Sequence, residues 1–557
     1  MSQALHYAWL GLFCTRLMLA QTAPADEPLT FKAKVSLVPV PVVVRDQRGN
    51  AVGGLKAEDF QLFDRGKPQA ILSFSMERSA PVRVDETATP AATKSKPAPP
   101  AAEVPERFLA YFFDDLHLAP ADLIRSRDAA RRQIERSLRT TDRVAIYTTS
   151  GQNTLDFTDS RDRLRAALGK LRTRPRSSGG VVGCPLMTYY MADQIRNQNS
   201  QPVLDAAIAD VMICGNVKDA ETAEYRVRSA AFREYTMGDL DTRAALRSLE
   251  QVVQRMSVMP GQRTIVMVSG GFLTFADHTS DKSRIMDRAA RAGIVVNALD
   301  ARGLYTDLPD MARRTAGAPQ VEQVLQQLER EGSRQQAAVM DEMAAATGGT
   351  FVQNTNDVDG GMQRTAAAPE YYYLLGFAPA DLKPDGSYHA LKVQLKGMSG
   401  TTIAARRGYY SPREAERPEE IAKREMDDAM FSRAEVQDLP VELVTEVGKG
   451  KDGAPRLSMV AKVDVRRLPF RREGERNCDD LTVATAVFDR NGVHITGSSK
   501  TIELRLLDKT LAEKLRGGVN IQSDFDLKPG TYAVRLVVRD KEGQLMTARN
   551  GAVEIPN

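Results

Sequence analysis

Two aspartates, a histidine and a serine carry the types and spacing that could do chemistry. In Arg107-Phe-Leu-Ala-Tyr-Phe-Phe-Asp114-Asp115-Leu-His117-Leu118 an unbroken apolar run, Phe108 to Phe113, ends in paired carboxylates and an imidazole. Carboxylates there can hold a hard divalent cation, or they can cap the helix that follows and hydrogen-bond loop amides. Ser269 closes a second apolar run, Thr264-Ile-Val-Met-Val268, and precedes Gly270-Gly271. A nucleophilic serine could draw on His117, His278 and several aspartates, yet no Gly-x-Ser-x-Gly turn occurs. Asp277-His278 reads as a solvated loop. No Gly-x-x-x-x-Gly-Lys-Ser/Thr cradle exists for phosphate. Five histidines and no Cys-x-x-Cys argue against a zinc cage. Tyr371, Tyr372 and Tyr373 alternate across a strand, so packing accounts for them.

These residues need a scaffold. An apolar run without helical gaps suits a strand buried on both faces of a parallel sheet, and open α/β sheets place ligands at the carboxyl ends of such strands. Pro120 opens an amphipathic helix with Leu123, Ile124, Ile134 and Leu138. Arg143 to Thr148 is a strand, Asp162 to Leu171 a helix, Leu240 to Met256 a helix, Arg263 to Val268 a strand, Arg284 to Ala292 a helix, and Gly293 to Leu299 a strand. That alternation specifies an α/β, doubly wound sheet.

At 557 residues the chain exceeds a single core, and 42% hydrophobic with 27% charged residues is ordinary for a globular protein. A net charge of +4 gives no reason to expect nucleic acid. The basic Arg172-Thr-Arg-Pro-Arg176 run reads as a solvated helix end. His6 to Ala20 resembles a secretory signal cleaved near Ala20, and Cys14 lacks the small residues of a lipoprotein anchor. No other stretch is long enough to span a bilayer. A soluble, exported chain, periplasmic or secreted, is the expectation. In an oxidising compartment Cys184 and Cys214, flanking a polar insertion without a core of its own, would form a disulfide contributing roughly 3–4 kcal/mol. Cys478 is left over.

Composition then divides the chain. Residues 1–20 are the signal, 27–76 a small β module with Pro39 and Pro41 marking an edge strand, and 77–106 a Pro/Ala-rich linker. Residues 107–368 are the α/β domain, with the insertion at about 173–235. Residues 369–411 form a β-hairpin extension, 412–433 a charged helical connector, and 434–557 a β-sandwich.

The order of these modules resembles the bacterial VWFA-related domain family, exported proteins with a von Willebrand factor A-like domain between immunoglobulin-like β modules. The stretches that carry it are VVVRDQRGNAVGGLKAEDFQLFDRGKPQ, FFDDLHL, DRVAIYTTSGQ with DFTDSRDRL, CPLMTYYMADQI, TIVMVSGGF, ATGGTF, YYYLLGFAP and RRGYYSP. The resemblance implies a metal-ion-dependent adhesion site built from an Asp-x-Ser-x-Ser loop, a Thr and a late Asp. Its first Asp falls on Asp114, or on Asp115 one residue on. Its serines fall on Leu116 and Leu118, its late Asp on Gly270, and its Thr on Thr188. Mg²⁺, which demands near-octahedral oxygen, would lose about half its protein ligands. A degenerate site is therefore implied, with Asp114, Asp115, His117, Thr188 and Ser269 as ligand-binding candidates. No cofactor is expected beyond weak Mg²⁺ or Ca²⁺ at Asp114 and Asp115. The implied function is non-catalytic binding or adhesion to a protein or cell-surface polymer. An envelope assembly or chaperone-like factor using β edges is the alternative, and a secreted hydrolase a more distant one.

Overall fold

The apolar run at Phe108 sits where its composition demands, in the middle of a sheet covered on both sides. The computed structural model describes residues 37–48, 50–78, 105–174, 184–304, 319–367, 371–379, 383, 385–411, 417–431, 435–449 and 455–556. The expected signal segment with Cys14, and nearly all of the 77–106 linker, lie outside the described residues. The central sheet runs in the order Phe351–Val352, Ile294–Asp300, Gln262–Ser269, Arg107–Phe113, Asp142–Thr148, Leu155–Thr158. All neighbours are parallel except the antiparallel edge strand Leu155–Thr158. Phe113 lies level with both Thr148 and Val268, so three strands end together.

Alternation along Arg107–Phe113 feeds two cores. Phe108, Ala110 and Phe112 pack with residues of helices Ala220–Ser257, Thr279–Arg291 and Pro319–Thr347. Leu109, Tyr111 and Phe113 pack with residues of helices Pro120–Ser137, Arg161–Lys170 and Val358–Ala366. Each buried aromatic contributes about 1.5–3 kcal/mol, which fixes this strand as the sheet's axis. Helix Pro120–Ser137 starts at a proline whose missing N–H costs nothing there. Its buried stripe is Leu123, Ser126, Ala130 and Ile134, while Ile124 is exposed.

The insertion departs from expectation. It is helical and has its own core: Met191, Leu204, Val211, Val227 and Ala231 join helices Tyr189–Arg196, Gln201–Cys214 and the first half of Ala220–Ser257. The last of these absorbs the helix expected over Leu240 to Met256, because small buried residues continue its stripe upstream at Ala223, Val227 and Ala231. The Cys184–Cys214 disulfide is formed, and Cys478 is a buried free thiol.

The β segments before and after the α/β domain share their sheets. One sheet runs Thr402–Ala405, Val38–Arg45, Tyr371–Phe377, Ile71–Arg78; the other runs Gly408–Tyr410, Tyr388–Leu395, Phe60–Asp64, Lys67–Gln69. Val38–Arg45 is thus an interior strand rather than an edge. Its prolines are tolerated because Thr402–Ala405 pairs only with Val42 to Arg45, leaving Pro39 and Pro41 in the half with one neighbour. A buried Asp64 accepts from His389 Nδ1 (3.1 Å to each oxygen) and Tyr409 (2.9 Å), joining three strands. Tyr373 is fully buried, donates to Val52 and accepts from Leu55.

Both β modules meet the α/β layer at the amino-terminal ends of its strands. Arg143 donates to the Arg490 carbonyl (2.8 Å), and Arg490 pairs with Asp159 (2.7 Å). Gly492, with φ of 77°, lies so close to Phe108 that a Cβ would strike the ring. Arg263 reaches the Phe431 carbonyl at the end of helix Pro418–Phe431. From the other module, Arg407 donates its backbone N–H to Ala345 (3.1 Å) and Arg406 pairs with Asp287 (3.5 Å). The C-terminal region, strands Val436 to Ile555, forms one larger sheet built on Arg476–Asp489 and one of three strands. Among the described residues no helix is long and apolar enough to cross a membrane.

Candidate functional site

Asp114 is the first residue beyond the central strand, and its N–H donates to the Val268 carbonyl (2.9 Å). The turn then closes on its own carbonyl, which accepts from His117 (3.2 Å) and Leu118 (3.0 Å). That turn folds the imidazole back over the carboxylate. His117 Nδ1 lies 2.9 Å from both Asp114 oxygens. Thr149 donates to Oδ1 (2.9 Å) and Ser269 to Oδ2 (2.6 Å), each from the end of a neighbouring parallel strand. Ser269 Oγ in turn accepts from the Gly271 N–H (2.8 Å). Asp115 turns to the next loop and accepts from Ser150 N–H (2.8 Å) and Ser150 Oγ (2.5 Å).

Asp114 is 0% exposed, and its carboxylate is held charged by what surrounds it. Burial pushes its pKa up, but the charge of His117 and hydrogen bonds from His117, Ser269 and Thr149 prevail and hold it below the ordinary carboxylate value. For His117, burial works against the charged ring, yet the Asp114 charge and hydrogen bond raise its pKa. The ring presents Nδ1 to both oxygens and stacks on Phe272 (5.5 Å, 29°), its side chain 20% exposed. Asp115 shifts upward, because burial outweighs the hydrogen bonds from Ser150.

The structure therefore brings Asp114, His117 and Ser269 into one cluster with Asp115 beside it, and it leaves Thr188 elsewhere. Thr188 caps helix Tyr189–Arg196 by accepting from Met191 (3.2 Å). The threonine on Asp114 is Thr149, and Ser150 completes the hydroxyls. Both were legible as Thr148-Thr149-Ser150 at the end of the second strand, since parallel neighbours that end level bring their next residues together. Neither aspartate caps the following helix; its N-cap is Ala119, without a side-chain bond. His278 is not a solvated loop residue. It is fully buried, bonded to Asp239 through Nε2 (2.9 Å), and accepts from the Phe275 N–H (3.1 Å). Burial lowers its pKa despite Asp239.

The donor set does not fit the divalent ion that the resemblance implies. The Asp114 carboxylate already faces three donors, with His117 Nδ1 shared between its oxygens, Thr149 on Oδ1 and Ser269 on Oδ2. Leu116 and Leu118 are buried apolar side chains at the two hydroxyl positions. A Cβ at Gly270 would stand 3.2 Å from the His117 carbonyl and 3.3 Å from Arg302 Cδ, so a carboxylate there would need its neighbours to move. Arg302 instead forks onto Asp300 (3.0 and 2.8 Å). Among the described residues no group of three or more His, Cys, Asp or Glu is disposed to hold a metal. Nor is Ser269 arranged as a nucleophile, because its hydroxyl gives its proton to a carboxylate while His117 meets that same carboxylate rather than the hydroxyl.

No family model matches the sequence, and no curated protein matches it. Among solved structures, the conserved hypothetical protein BatB from Bacteroides thetaiotaomicron is similar over 46% of this chain and 93% of its own, at 14% identity and a TM-score of 0.22. The N-terminal domain of TFIIH p34 is similar over 47% and 96%, at 11% identity and a TM-score of 0.21. Bacteroides uniformis beta-glucuronidase is similar over 35% of this chain and 20% of its own, at 11% identity and a TM-score of 0.15.

Proposed function

We propose that this chain is an exported, non-catalytic binding protein of the von Willebrand factor A-related kind, which engages a protein partner at the carboxyl edge of its central sheet. One observation carries the reading. The contacts from both β modules fall on the amino-terminal edge of the sheet and on the helix ends beside it, away from the edge that bears Asp114, Ser150 and Ser269. A rigid platform with one edge braced suits capture at the other. The ordered motifs and the layered α/β scaffold with acids ending its central strand support the family reading. The three protein donors on Asp114 and the apolar Leu116 and Leu118 support a docking surface that works without a metal.

Two measurements test this. A photo-crosslinking residue at Gln152, exposed on the carboxyl edge, should trap a partner in the native exported protein, whereas one at Lys500 on strand His494–Leu507 should not. Capture at Lys500 alone would instead favour strand addition by the C-terminal β region. Titration calorimetry with Mg²⁺, Ca²⁺ and Mn²⁺ should give no sub-millimolar binding; such a site, lost in Asp114→Ala, would overturn the metal-free half. A hydrolytic activity abolished by Ser269→Ala would overturn the non-catalytic half.

A further inference from the structure

Three stretches build the carboxyl edge on one side of the cluster: residues 114–125, 148–153 and 168–174. They are held together by named contacts: Arg174 N–H donates to the Asp115 carbonyl (2.7 Å), and Asn153 Nδ2 to the Lys170 carbonyl (3.2 Å). The charges on this rim are one-sided. Arg125, Lys170, Arg172 and Arg174 are exposed. The acids in the same stretches are Asp114 and Asp115, both buried, and Asp122, whose side chain is 16% exposed and bonded to Arg125 (2.6 Å). Asp357, further round the edge, caps its own helix by accepting from Gly360 (2.8 Å). Two large apolar side chains are set into this basic rim. Ile124 is 49% exposed beside Arg125, and Leu304 is 55% exposed, three residues beyond the carbonyl of Ala301 that Arg125 reaches.

We infer that this edge docks an acidic peptide segment of a protein partner, one that carries large apolar residues between its carboxylates. The inference rests on the proposed function and names the partner's chemistry. Guanidinium groups match carboxylates fork to fork, and clustered like charges gain most from an opposite-signed partner. Ile124 and Leu304 favour a peptide over a sugar polymer, because exposed aliphatic side chains want apolar area to cover them. The cations here are side chains, so the capture needs no bound ion.

The test uses the full chain and three probes: a peptide alternating Glu and Leu, polygalacturonate, and vesicles of phosphatidylglycerol with phosphatidylcholine. The Glu/Leu peptide should bind, should weaken about tenfold or more on raising salt, and should be indifferent to a chelator. Arg125→Glu with Arg174→Glu should weaken it about tenfold or more, and Lys170→Gln with Arg174→Gln by a smaller factor, the second pair with unchanged melting. Peptide binding that survives both pairs, fails at low salt, or disappears with chelator overturns the inference. So does equal or tighter binding of polygalacturonate or of the vesicles. A partner trapped at Gln152 whose capture ignores the charge reversals sinks this inference alone; one trapped only at Lys500 sinks the proposed function.

Discussion

The molecule contains nearly the same side-chain cluster twice, and the difference between the copies is informative. In the α/β domain, Asp114 accepts from His117 Nδ1 with both oxygens, two hydroxyls join it, and the imidazole stacks on Phe272. In the N-terminal β-sandwich, Asp64 accepts from His389 Nδ1 with both oxygens, Tyr409 joins it, and the imidazole stacks on Tyr409 (4.7 Å, 28°). The chemistry alone would not tell them apart. The scaffold does. Asp64, His389 and Tyr409 come from strands Phe60–Asp64, Tyr388–Leu395 and Gly408–Tyr410 that pair laterally, so the cluster fastens the sandwich across more than 320 residues of chain. Asp114 ties three parallel strands together where they all stop, and its histidine sits at the rim of an edge that the β modules leave to one side.

That contrast can be broken or sharpened by substitution. Asp114→Ala has the largest expected effect, a loss of about 3–5 kcal/mol, because it removes a fully buried carboxylate and leaves a half-buried imidazole and two hydroxyls without their acceptor. Hydrogen exchange should show it as opening of Arg107–Phe113 and Gln262–Ser269. Asp64→Ala should cost about 2–3 kcal/mol and open Phe60–Asp64 and Tyr388–Leu395 instead, with partner capture at Gln152 retained. If the two variants loosen the same strands, the clusters are not separate fastenings. Tyr409→Phe and Thr149→Val should each cost about 1 kcal/mol in chemical denaturation, the value of one hydrogen bond.

The smallest effect is a slope in pH. His117 has a raised pKa, so its contribution is fully present below the unfolded value of 6.5 and is lost as pH rises through the folded value. Asp114 has a lowered pKa, so its contribution is present above the unfolded 3.8 and is lost as pH falls through its folded value. Between those limits the pair is charged on both sides. Denaturation from pH 6 to 9 should therefore show a decline on the alkaline side that His117→Gln lacks; an identical slope in the variant would mean that the imidazole is not charged in the fold.

Much of the α/β scaffold could be read from sequence because it is local. A strand buried on both faces must be an apolar run, and a helix over it must carry a stripe, so Arg107–Phe113 and Pro120–Ser137 announce themselves. Asp114, His117 and Ser269 could be picked out for the same reason: they end such runs. What failed was anything set by distant partners. Pro39 and Pro41 gave the right local rule and the wrong position, because whether a strand is an edge depends on Thr402–Ala405. Thr188 is what the resemblance implies, although level strand ends favour Thr149. The insertion reads as polar because its core is made largely of alanine, valine and methionine spaced over three helices. His278 looked solvated because nothing near it in sequence reveals Asp239.

The divided sandwich also dictates an order of events. Val38–Arg45 cannot find Tyr371–Phe377 or Thr402–Ala405 until more than 300 further residues have emerged from the ribosome. Throughout that interval a valine-rich segment waits without its partners, inviting mispairing with other nascent chains. A chaperone that shields this leading strand, or rapid self-contained folding of the intervening α/β domain, becomes a condition for a good yield, and truncation before Tyr371 should turn an otherwise sound chain into aggregate.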